Sequence, residues 1–128
     1  MRKLRLHIGK LAIDAELFDT PTADALYAAA PFESRATTWG GEVYFTVPVR
    51  TEREHDARDV VQPGELAFRV EGEAVVIGYG PTPNSSGDEI RLAMPANVWG
   101  ITTHDVRQLQ DVEAGELIRV EALVDSAV

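Results

Sequence analysis

Polar and apolar residues alternate from Arg2 to Ile8, with Leu4, Leu6 and Ile8 on one face and Lys3, Arg5 and His7 on the other. Leu11, Ile13 and Ala15 resume the pattern after Gly9-Lys10. Period-two alternation on both sides of a two-residue step that opens with glycine predicts a β-hairpin. The pattern then changes in "DTPTADALYAAAP". Thr20 is placed to cap a helix, Pro21 suits its first position, Asp24 complements the positive end of its dipole, and Pro31 stops it. So short a helix depends on docking against something apolar.

Most of the remainder reads as strand. Ser34 to Trp39 and Glu42 to Val49 form a second predicted hairpin across Gly40-Gly41. Glu65 to Val70 and Ala74 to Gly80 form a third across "EGE", and Asn97 to Thr102 and Leu117 to Val124 complete the set. "THDVRQLQDV", from Thr103, reads as a second short capped helix. "TEREHDARD", "GPTPNSSGDE" and "MPAN" are dense in turn formers or charge and read as loops. "VQPGELAFRVE" and "VEAGELIRVE" look alike, one local device used twice: a glycine turn that launches a strand with glutamate first. Many short strands with two short helices predict an antiparallel barrel or sandwich, and a barrel leaves no exposed edges.

The chain of 128 residues is expected to be one domain over 1–128, and its hydrophobic share of 45% suffices for a single core. It contains no cysteine, so disulfides, thiolate metal sites and thiol catalysis are excluded. A net charge of -9 argues against a nucleic-acid partner, which requires a basic stripe. Charges at Arg5, Lys10 and Asp14 interrupt any apolar segment near the N-terminus, so neither a signal peptide nor a membrane partner is expected, and the cytoplasm is the expected location. "TEREHDARD" has one histidine among carboxylates interleaved with Arg53 and Arg58, which reads as a solvated loop, and no metal or cofactor is expected. "NSSGDE" lacks the nucleophile-elbow and phosphate-loop spacings.

Candidate binding residues come from the alternation. In Glu42 to Val49, Val43, Phe45, Val47 and Val49 form the core face, which leaves Tyr44 outside between Glu42 and Thr46. If the smaller residues of the neighbouring strands point inward, Arg35, Trp39, Tyr44, Asn97 and Trp99 share one outer surface. Aromatic rings with a guanidinium and an amide suit a shallow groove for a small molecule or peptide. A docked helix or a neighbouring subunit covering the same rings is the other reading.

"PFESRATTWGGEVYFTVPV", "GELAF", "VVIGYGPTPNSS" and "MPANVWGITT" together resemble small prokaryotic cyclophilin-like proteins of uncharacterised function, over nearly the whole chain. The Thr-Trp-Gly and Gly-x-Thr-Pro steps are the most specific parts. The resemblance implies a mainly β fold, a cyclophilin-like closed antiparallel β-barrel of about eight strands with two short helices. It also implies an activity to test, because true cyclophilins are peptidyl-prolyl isomerases. Their active face carries an arginine that eases twist about a bond with a barrier of about 18–20 kcal/mol. Arg35 lies on the matching strand but between Ser34 and Ala36, and "VYFTVPV" supplies no glutamine where the isomerases carry one. Met94, Ala96 and Asn97 loosely match the family's Met-Ala-Asn segment.

The sequence therefore predicts a binder of a small molecule or peptide at Arg35, Trp39, Tyr44, Met94, Asn97 and Trp99 on the barrel exterior. A degenerate prolyl isomerase using Arg35 and a structural subunit of a homo-oligomer are the alternatives.

Overall fold

A computed structural model of the protein describes residues 2–123, so Val124, the last residue of the final predicted strand, lies outside the described residues. Ten strands, one α-helix and one 3₁₀ helix follow one another: β1 (Lys3–Ile8), β2 (Leu11–Leu17), α1 (Pro21–Ala29), β3 (Phe32–Arg35), β4 (Thr37–Trp39), β5 (Glu42–Thr46), β6 (Arg58–Val61), β7 (Glu65–Arg69), β8 (Ala74–Gly78), β9 (Ile90–Ile101), the 3₁₀ helix Val106–Asp111, and β10 (Leu117–Leu123). All pairings are antiparallel, in the order β3-β10-β1-β2-β9-β7-β8-β5-β4. The path begins and ends on β3 and β4, two halves of one chain segment bent at the buried Ala36. The sheet thereby curls into a nearly closed cyclophilin-like barrel, mainly β and with few short helices, as the sequence predicts.

The barrel interior holds the predicted core faces: Leu4, Leu6 and Ile8 from β1, Ile13 and Ala15 from β2, and Val43 and Phe45 from β5 are all at most 4% exposed. The helix α1 covers one end with Ala23 and Leu26, and its cap is the expected one, with Thr20 Oγ1 accepting from the Ala23 N–H at 3.2 Å. The second helix is a single stretch of 3₁₀ capped by Asp105, whose side chain accepts from the Arg107 N–H. Six residues between two extended flanks suit that tighter form.

Two segments read as loops belong to strands. "TEREHDARD" ends in β6, and "MPAN" lies inside β9, which is 12 residues long. β6 pairs only with β9, along Ile90 to Ala96, and the two make a ribbon that crosses the outer wall of the barrel. Under the ribbon is a second, smaller core of Val61, Ala67, Val76, Ile90, Leu92 and Ala96, with Tyr44 and Val98 against it. The tyrosine predicted to face outward does so, and this chain's own ribbon covers it.

The two most specific family motifs meet at one point. The Gly41 carbonyl accepts from the N–H groups of Tyr79 and Gly80 at 2.7 and 3.1 Å, and the Gly41 N–H donates to the Pro81 carbonyl at 2.8 Å. A Cβ on Gly41 would lie 2.3 Å from the Gly80 carbonyl carbon and oxygen, whereas a Cβ on Gly80 would meet nothing within 4 Å. Gly41→Ala is therefore expected to destabilise the fold by roughly 2–3 kcal/mol and Gly80→Ala to stay within about 0.5 kcal/mol, read as urea midpoints of the two variants against the native chain.

Candidate functional site

The outer wall beneath the ribbon brings together part of the expected set. In the β4–β5 register Trp39 lies directly across from Glu42 and Thr37 across from Tyr44, so these side chains share the outer face. On the other side of β5, Gly78 of β8 lies across from Glu42, and its missing side chain makes room for Ile90 of the ribbon, whose Cγ2 would stand 2.4 Å from a Cβ there. Arg69 of β7 lies over the Tyr44 ring, its guanidinium carbon 4.9 Å from the ring centre, and its Nε donates to the Glu71 carbonyl at 2.7 Å. Glu42, Arg69, Val76, Leu92, Ala93, Met94 and Ala96 line a crevice of about 170 Å³ at this point, and Met94 at its rim is 38% exposed.

Glu42 is the unusual member. Its side chain is 1% exposed, and its Oε1 has no hydrogen-bond partner among the described residues. Burial pushes its carboxyl up from 4.5 to about 7, against the pull of the nearby Arg69 cation. Elsewhere on the surface the ordinary pattern holds: Arg5 with Asp14 at 2.7 Å and Arg58 with Glu65 are paired, which holds both carboxyls low.

Other expected site residues stand elsewhere. Trp99 is not on the exterior: it is fully buried in the barrel core, and its Nε1 donates to the Ala67 carbonyl at 3.0 Å. Asn97 is also fully buried. Its Nδ2 donates to Thr22 Oγ1 at 3.0 Å and to the Glu52 carbonyl at 2.9 Å, while its Oδ1 accepts from the Glu54 N–H at 2.8 Å. Glu54 in turn accepts from the N–H and hydroxyl of Thr22 at 3.1 and 2.6 Å, so this part of "TEREHDARD" moors helix α1 rather than lying free in solvent.

The expectation that small residues point inward fails on β9 for a definite reason. Leu66 pairs with Gly100 and Ala67 with Val98, so Trp99 is one extra residue in the strand, and the alternation changes phase between buried Trp99 and exposed Ile101. The small Gly100 serves a close approach, since a Cβ there would lie 2.6 Å from the Glu16 carbonyl oxygen. Arg35, on β3, donates from its guanidinium to the Gly115 carbonyl at 3.2 Å and is not among the residues lining the crevice.

Of the expected set, Trp39, Tyr44 and Met94 thus belong to the wall, and Arg35, Asn97 and Trp99 do not. Glu42 and Arg69 are the residues missed. The alternation already placed Glu42 beside Tyr44 on the outer face; its burial became visible only with the ribbon. A larger open cleft of about 740 Å³ lies at one end of the barrel, between Gly40-Gly41, Tyr79 to Pro81 and the 3₁₀ helix. Its charged members Asp105 and Arg107 pair with each other at 3.1 Å. Among the described residues no helix is long and apolar enough to cross a membrane.

A nearly closed antiparallel barrel with a helix over one end and a two-stranded ribbon across its wall defines the cyclophilin-like class. The chain belongs to the cyclophilin-like family, whose pattern matches residues 2–121. The solution structure of the hypothetical protein AF2241 from Archaeoglobus fulgidus is 36% identical and superposes with a TM-score of 0.80 over 94% of this chain and 93% of that one. A structure of McbB in complex with tryptophan shares the fold at 14% identity and a TM-score of 0.67; 98% of this chain matches 46% of that larger protein. No curated protein matches the chain in sequence.

Two outcomes are expected of the site as described. The unfolded chain loses the Glu42 proton near pH 4.5 and the folded chain near 7. The folded state therefore holds the extra proton in between, and stability falls as pH rises through that window. Glu42→Gln removes the effect, so the variant should gain about 2–3 kcal/mol over the native chain on going from pH 5 to pH 8, in paired urea titrations. The tryptophans should also separate: Trp39→Phe is expected to leave emission that acrylamide barely quenches, because Trp99 is sealed. Equal quenching before and after that substitution would contradict the placement of both rings.

Proposed function

We propose that the protein binds a small molecule on the outer wall of its barrel, where Glu42 meets Trp39, Tyr44, Arg69 and Met94. The observation that carries this reading is the buried Glu42 carboxyl with an unpartnered Oε1. A charge in that position costs stability, and groups of this kind concentrate where a protein binds or reacts. The surroundings suit a ligand: an indole and a phenol on the same face supply apolar area, Met94 supplies an adaptable rim, and Arg69 and Glu42 supply direction.

The peptide and isomerase readings have less behind them. Arg35 is engaged with the Gly115 carbonyl, and the two residues expected to flank the groove, Asn97 and Trp99, are interior.

A fragment screen followed by amide chemical-shift mapping tests the proposal. Binders are expected to shift residues 39–44, 69 and 92–96, and Glu42→Gln should weaken them at least tenfold. Binders that cluster instead at Tyr79 and Arg107, at the barrel end, would move the site there and refute the wall.

A further inference from the structure

The chemistry of the Glu42 crevice narrows the class of ligand; the argument rests on the binding reading above. We infer that the ligand presents a primary ammonium group to Glu42 and lays an aromatic body along Trp39 and Met94. The unpartnered Oε1 is a buried acceptor that no donor of the protein satisfies, so the ligand has to bring the donor. The roof of the crevice, Leu92, Ala93, Met94 and Ala96, offers only apolar side chains. A guanidinium would strand several of its five N–H groups there, whereas an ammonium has three and can turn the remainder toward the rim. The space of about 170 Å³ admits a slim head and excludes a trimethylated one. Rings flanking a carboxylate attract a cation by their faces as well as by charge, and a net charge of -9 favours cationic ligands at longer range.

Arg69 is the one other charged group facing Glu42. From β5 comes Tyr44, from β4 Trp39, from β8 Gly78 and Val76, and from the ribbon Ile90, Leu92, Ala93, Met94 and Ala96. Because Arg69 is committed to the Tyr44 ring and the Glu71 carbonyl, it does not neutralise Glu42. It also separates two ligand classes: an anion or carbonyl ligand would require Arg69, and an ammonium ligand would be repelled by it.

Binding of the ammonium requires the ionised carboxylate. Affinity should therefore rise roughly ninefold between pH 6 and pH 8, a range over which the amine itself stays protonated, and the dependence should vanish with Glu42→Gln.

The test uses four probes on the full chain, followed by amide shifts: 2-phenylethylamine, its N,N,N-trimethyl analogue, 2-phenylethanol and 3-phenylpropionate. Only the primary amine is expected to shift residues 39–44 and 92–96; Arg69→Gln should keep or strengthen that binding, and Glu42→Gln should abolish it. Equal binding of the alcohol or the acid at the same residues, or loss of binding in Arg69→Gln, overturns the ammonium assignment and leaves the wall as the site. No shift at the wall with any probe overturns both.

Discussion

β9 serves two sheets. Its second half, from Asn97 to Ile101, pairs with β7 and β2 in the barrel wall, and its first half leaves that wall to pair with β6. One strand therefore both closes the barrel and roofs it, and the satellite core under the roof exists only because β9 is long enough to do both. The wall of an antiparallel barrel ordinarily presents its outer residues to water. Here the ribbon dehydrates that face, and the cost of dehydration falls on Glu42.

The two most diagnostic sequence steps have a structural role separate from the crevice. Gly41 and Gly80 let two turns touch backbone to backbone, which fixes where β4 hands over to β5 and where β8 ends. The family resemblance is thus carried largely by residues that set the barrel's geometry. The AF2241 structure shares that geometry over nearly its whole length, while the distant McbB structure shows how the same barrel serves within a larger chain. The side chains that distinguish this wall, Glu42 and Arg69 among them, lie between those fixed points.

The barrel was legible because its strands obey period-two alternation, each core face reading directly as Leu4-Leu6-Ile8 or Val43-Phe45. The ribbon was not legible, because β6 is four residues of mixed charge and β9 contains Pro95 and polar positions, which local pattern reads as a turn. Tyr44, Trp39 and Met94 came out on the expected surface because β4 and β5 keep strict alternation, and the rim of the crevice follows from it. Trp99 came out wrong because a single extra residue in β9 reverses the phase, and nothing local in the sequence marks such a slip. Asn97 came out wrong because its partners, Thr22 and the backbone of Glu52 and Glu54, are 43 or more residues away in the chain.

The hydrogen-bonded knot at Asn97 sits where β9 passes from wall to ribbon, and it ties that point to helix α1. Mechanically it is a fulcrum. A ribbon that lifts with the knot intact must pivot there, and its travel grows with distance along the arm toward Ile90. Met94, three residues along, stands only about 10 Å from the pivot, so even a generous tilt widens the crevice by little. The aperture above Glu42 is thereby throttled by leverage as well as by shape.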